Sequence, residues 1–180
     1  MDQDGRRESV IDSRRVGPKV TLGVTANLLW WMRHERNPAM ELSRFAVAVD
    51  GSPESKRAVE AAAELAKLAG ATLQLVTVVR PPEGWWGIEG SPPTPEAMSA
   101  AIASARSELL APIQKSLDIE AEAVLEVGEP GGAIINFCSD NDIDMLFVGR
   151  RGAGVVERVM MGSVADRLAH NAPCPVVIVP

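Results

Sequence analysis

The chain predicts an α/β fold: a five-stranded, parallel, doubly wound sheet in three α/β/α layers. Three observations carry this. Short β-branched apolar runs alternate with helical patterns from Phe45 onward. Hydrophobic residues reach 46% while aromatics are only 4%, so Ala, Val and Leu build the core, as suits helices packed closely on a parallel sheet. Each strand is joined to the next through a helix, and right-handed crossovers then place helices on both faces.

In order, "FAVAV" (45–49) is the first strand and ends at Asp50-Gly51. A helix starts at Ser52-Pro53, with Pro in the first turn. Val59, Ala62, Ala63, Ala66 and Ala69 form its buried stripe, and Gly70 stops it. "ATLQLVTVV" (71–79) is the second strand. Residues 80–95 hold five prolines and three glycines and read as an exposed loop, a lid or contact surface around Trp85-Trp86, or a loop without function. A second helix is expected from Pro95 to Leu117, a strand over 119–127, and a third helix within "GEPGGAIINFCSDN". "IDMLFVG" (143–149) is a buried fourth strand. A fourth helix spans Ser163 to Asn171, and Val176–Val179 is a last, fully apolar strand.

Composition limits the function classes. The 180 residues suffice for one domain with a sizeable core. A net charge of −6 argues against a nucleic-acid binder. Cys138 and Cys174 form no CxxC pair, and His34 and His170 are isolated, so neither a zinc site nor triad chemistry is indicated. Two buried thiols suit a reducing compartment, and a cytoplasmic location is expected. No apolar run approaches the ~18 residues of a membrane span.

Residues 1–41 differ from the rest and read as an N-terminal extension to a domain at 42–180. They carry seven of the 18 basic and six of the 24 acidic residues, leaving 11 and 18 in 42–180, a charge of −7 there. The first twenty lack periodicity. "SRRVGPK" before an apolar run has the outline of a twin-arginine signal, but acidic residues crowd its front and no cleavage site follows. A short amphipathic helix around Trp30-Trp31 and a loosely packed appendage are the other readings, the last favoured. Translation starting at Met40 is a further option.

The chemistry concentrates in "VGRRGAGVVERVMMGSVADRL" (148–168). Its glycines lack the order of a dinucleotide fingerprint, and no Gly-Lys-Ser/Thr follows for a Walker loop. Gly149 and Gly152 stand at a strand's carboxyl end, where the missing Cβ lets backbone N–H groups approach an anion. Gly162-Ser163 opens a helix whose free N–H groups and dipole favour phosphate, and Arg150 and Arg151 add positive charge. The competing reading makes the glycines turn residues and Ser163 an ordinary N-cap. Asp50, at the end of the first strand, faces the same edge and would give a carboxylate opposite the anion cradle.

"FAVAVDGS", "VGEPGGAII", "DMLFVGRRGAG" and "MMGSVADRLAHNAPCPVVIVP" together resemble a universal stress protein domain over residues 43–180. Gly149, Gly152, Gly162 and Ser163 match the family's G-x2-G-x9-G-S/T spacing in full. The resemblance implies an adenine-nucleotide α-hydrolase-like fold, ATP with Mg²⁺ as ligand, and a homodimer paired through Val176–Val179. Carried over, Asp50 contacts the adenine and Val78 lines the base pocket. Gly149 and Gly152 approach ribose and phosphate, and Gly162, Ser163 and Val164 hold the phosphates. Arg151 occupies a variable motif position beside them. Ala165 stands where a hydroxyl residue is often found, a departure that removes one phosphate contact. The function implied is a dimeric, ATP-binding regulator of the stress response with an unnamed protein partner and no evident catalytic base. Two alternatives stay open: a slow ATPase or phosphotransferase using Arg150 or Arg151, and a nucleotide-free interaction module using the tryptophan segments.

Overall fold

A computed structural model describes residues 42–80, 94–153 and 161–180. The extension 1–41 and the Trp85-Trp86 loop lie outside the described residues. The elements are β1 (Arg44–Ala48), α1 (Pro53–Ala69), β2 (Thr72–Val79), α2 (Pro95–Ser104), a π-helical segment (Ala105–Leu110), α3 (Ala111–Ser116), β3 (Ala121–Val127), α4 (Pro130–Asp140), β4 (Met145–Gly149), α5 (Ser163–Asn171) and β5 (Val176–Val179). All five strands are parallel, in the order β3-β2-β1-β4-β5.

The alternation of strand side chains between faces divides the core in two. Phe45, Val47, Val49, Leu73, Leu75 and Phe147 pack with α1 and with Leu110 on one face. Ala46, Ala48, Val76, Leu146 and Val148 pack with α4 and α5 on the other. Small residues let α1 approach closely: Ala58, Ala62, Ala63 and Ala66 are buried on one stripe. Ala69, expected on that stripe, is exposed in the last turn.

Local signals account for the ends of α1. Ser52 is its N-cap, accepting from Ser55 N–H at 3.1 Å. Gly70 closes it in the left-handed region at φ 67°, where a side chain would be strained. The helix expected as one piece from Pro95 to Leu117 runs to Ser116, and six of its residues form wide π turns. Cys138 and Cys174 are both buried. A hydrogen bond with Cys174, together with burial, pushes the Cys138 thiol well up, so it stays protonated and unreactive.

Strand order reverses between β1 and β4. The β1–β2 and β2–β3 connections cover one face and the β3–β4 and β4–β5 connections the other, so the strand ends part above β1 and β4. Phe147 lies at this seam, fully buried, with its ring 5.6 Å from that of Phe45. Phe147→Ala should therefore lower the unfolding free energy by about 3–5 kcal/mol, as read from urea denaturation.

Candidate functional site

A cavity of about 730 Å³ opens at the carboxyl ends of β1, β2 and β4, a size in the range of small-molecule sites. Asp50, Val78, Gly149, Arg151, Gly152, Gly162, Ser163 and Val164 all line it. The eight positions singled out in the sequence therefore share one space.

Asp50 joins its two sides. One carboxylate oxygen accepts from Ser52 N–H at 3.0 Å and from Ser52 Oγ at 2.6 Å, and the other accepts from Ala153 N–H at 3.0 Å. The end of β1 thereby holds the loop that leaves β4. Burial on its own pushes the Asp50 carboxyl up, but the bonds from Ser52 and Ala153 together outweigh it and leave the group below its ordinary value of 3.8.

The motif glycines separate by cause. None has a positive φ, which among the described glycines is confined to Gly51, Gly70 and Gly128, so turn conformation does not explain them. A Cβ on Gly149 would stand 2.8 Å from the carbonyl carbon of Glu54 and 2.9 Å from Ser55 N, so β4 and the first turn of α1 touch only because Gly149 has none. On Gly152 a Cβ would lie 2.5 Å from Asp50 Oδ2. At Gly162 it would meet nothing closer than 3.4 Å, an ordinary contact. Two glycines thus serve the protein's own packing, and the third leaves the start of α5 bare.

That start leaves backbone donors open toward the cavity. Gly162, not Ser163, is the N-cap, and it supplies no side-chain bond. Asp166 N–H makes the first helical bond, to Gly162 O at 2.9 Å, so the N–H groups of Ser163, Val164 and Ala165 have no intrahelical acceptor. The other helix starts around the sheet are closed. Ser52 caps α1, Thr94 caps α2, and Glu129 caps α4 by accepting from Gly131 and Gly132 N–H at 3.0 and 2.8 Å. Glu129 also pairs with Arg167 at 2.7 Å, and the α4 glycines make room for that guanidinium: a Cβ on Gly131 would lie 2.6 Å from Arg167 Cδ. Sequence reading missed this brace. The Gly-Gly pair after "GEP" was its only local trace.

Positive charge lines the same wall. Arg150 Nε is buried with no hydrogen-bond partner among the described residues. Arg151 pairs with Glu54 at 3.3 Å, and Glu54 in turn lies 3.6 Å from Arg57, whose Nε donates to Pro180 O at 2.7 Å. The opposite, β2 side holds Val76, Val78 and Val79, with Thr77 among them and Arg80 at the strand's end. Ala165, the noted departure, is buried and offers the cavity no hydroxyl.

The sequence model of the Universal stress protein family matches residues 41–180. The chain belongs to the universal stress protein family. Within it, the universal stress protein YxiE of Bacillus subtilis is 29% identical over 145 residues, 76% of this chain and 98% of that protein. Universal stress protein UspA from Lactobacillus plantarum superimposes with a TM-score of 0.65 at 22% identity, over 78% of this chain and 99% of the other. The universal stress protein from Archaeoglobus fulgidus in complex with dAMP does so with a TM-score of 0.56 at 24% identity, over 78% and 99%. These neighbours share the adenine-nucleotide α-hydrolase-like fold, as the sheet order requires. No described helix of this universal stress protein domain is long and apolar enough to cross a membrane.

Two outcomes test the geometry. Gly149→Ala should cost about 1–3 kcal/mol by overpacking α1, whereas Gly162→Ala should leave the melting temperature near wild type, both read by calorimetry. Because the folded-state pKa of Asp50 is depressed, its contribution to stability is present above the unfolded value of ~3.9 and is lost as pH falls through the folded one. Stability measured from pH 6 down to about pH 3 should fall less steeply in Asp50→Asn than in wild type.

Proposed function

We propose that this chain binds an adenine nucleotide, ATP with Mg²⁺, in the cavity at the switch point, and that it acts as a dimeric regulatory protein of the stress response in the cytoplasm. The observation that carries the reading is the uncapped start of α5, which presents free N–H groups to a cavity with Arg150 and Arg151 on the same wall and the β2 valines across from them. A phosphate chain suits the first end through hydrogen bonds and helix dipole, and a heterocycle suits the second. The Archaeoglobus fulgidus relative in complex with dAMP supports the ligand class.

In this reading Gly162, Ser163 and Val164 hold the phosphates, and Arg151 lies beside them. Gly149 and Gly152 let the ribose and phosphates come close to the backbone. Val78 covers the base, and Asp50 both fixes the loop and offers its remaining acceptor capacity toward the base. Among the described residues no cluster of three His, Cys, Asp or Glu could hold a metal ion. Mg²⁺ would be held by the phosphate oxygens and water, with the Ser163 hydroxyl as an available protein oxygen.

ATP serves as a ligand rather than a fuel. Among the described residues Asp50 is the sole carboxylate lining the cavity and no histidine lines it, and Asp50 already accepts three hydrogen bonds. Dimerisation through β5 is supported by its place at the sheet edge, with all four side chains half-buried.

Native mass spectrometry of purified protein should show a dimer retaining ATP, and Mg·ATP should raise the melting temperature. Gly152→Val, which drives a side chain onto Asp50, should weaken ATP by about tenfold or more, ~1.4 kcal/mol, while the protein stays folded. Wild-type protein that carries no nucleotide and gains no heat stability from Mg·ATP would overturn the reading.

A further inference from the structure

The chain from Pro95 to Ser116 does two different jobs. Its second half packs on the sheet: Leu110 is fully buried, and Leu109 and Ile113 lie against the same core. None of the ten residues of α2 is buried. Instead Ala101, Ser104 and Ala105 join Leu109 in lining the cavity. The change of role coincides with the π-helical segment, whose wider turns rotate the residues before it relative to those after it. Such segments recur at functional sites.

Ser104 stands out within that wall. A helical serine commonly folds its hydroxyl back onto a carbonyl one turn earlier. Ser107 does so onto Ala103 O at 2.9 Å, and Ser116 onto Ile113 O at 2.8 Å. The Ser104 hydroxyl has no hydrogen-bond partner among the described residues, although it lines the cavity. Thr77, the other hydroxyl on the β2 side, is committed to Val49 O at 2.5 Å. Of the remaining side chains there, Val76, Val78, Val79, Ala101 and Ala105 carry no polar atoms, and Arg80 at the end of β2 donates hydrogen bonds but accepts none, so Ser104 is the free group that can do both.

Strand order sets which part of a ligand this hydroxyl meets. The anion cradle follows β4, and the wall holding Ser104 follows β2, two strands away across β1. Two interstrand spacings span about 10 Å, room for a sugar and a heterocycle beyond the phosphates. A hydroxyl donates and accepts at once, which fits the edge of a purine, where an amino group adjoins a ring nitrogen. From this arrangement we infer that Ser104 is a specificity-determining residue, its hydroxyl reading the edge of the nucleotide's base while Ala101 and Ala105 leave the space for the ring. The inference rests on the nucleotide reading above.

Calorimetric titration of wild type, Ser104→Ala and Ser104→Thr with Mg·ATP and with Mg-tripolyphosphate tests it. Alanine is the better helix former, so Ser104→Ala should melt no lower than wild type. The expected result is an ATP affinity reduced about 3–10-fold in Ser104→Ala, the loss of one neutral hydrogen bond, with tripolyphosphate binding unchanged and Ser104→Thr close to wild type for both. Undiminished ATP affinity in Ser104→Ala overturns the inference, as does an equal loss for ATP and tripolyphosphate. Either result leaves the nucleotide reading standing, because wild type still binds. Wild-type protein that takes up neither ligand overturns both.

Discussion

The strand order changes direction between β1 and β4, and the protein must both pack that seam and keep its upper end open. The Asp50 carboxylate does the second part. By accepting from Ser52 on its own side and from Ala153 across the seam, it fixes the first turn of α1 and the loop after β4 in one frame. Charge-assisted bonds of this kind are stronger than neutral ones, and their geometry is directional. The close approach at Gly149 does the first part, since β4 and the start of α1 meet with no side chain between them. The cavity is the volume left above these two contacts.

Much of this was legible in the sequence, for reasons that can be named. Strand and helix signals of the parallel sheet are local: "FAVAV" and "IDMLFVG" bury both faces, Ser52-Pro53 opens a helix, and Gly70 closes it. The spacing of Gly149, Gly152 and Gly162 singled out residues that the fold gathers around one cavity. What escaped notice was non-local. Nothing in "VGRRG" says that Gly149 abuts Glu54, nearly a hundred residues earlier, or that Gly152 faces Asp50. Details of the stretch also emerge only in three dimensions: Gly149, Gly152 and Gly162 do not have the positive φ of left-handed turns, and Ser163 is the first helical residue rather than the cap.

The π-helical segment was invisible for a different reason. A wide turn has no composition of its own, and "ARSELL" reads as ordinary helix by propensity. Its cause lies in the surroundings: Leu110 must reach the core while the residues before Ala105 border an open space. Helix periodicity thus fixed where the element is, and packing fixed how it winds. The same division holds for Glu129, whose double role as cap of α4 and partner of Arg167 depends on α5 being alongside.

The composition of the cavity wall has one more consequence. Backbone N–H groups do not titrate, and Asp50, its carboxyl held below the ordinary value by its hydrogen bonds, is ionised at neutrality. Among the described residues no histidine, the side chain that ordinarily changes charge near pH 7, lines that wall, and His170 sits exposed farther along α5. Under the nucleotide reading proposed above, acidity near neutrality would therefore act on the ligand's own phosphate protons rather than on Asp50 or the helix N–H groups.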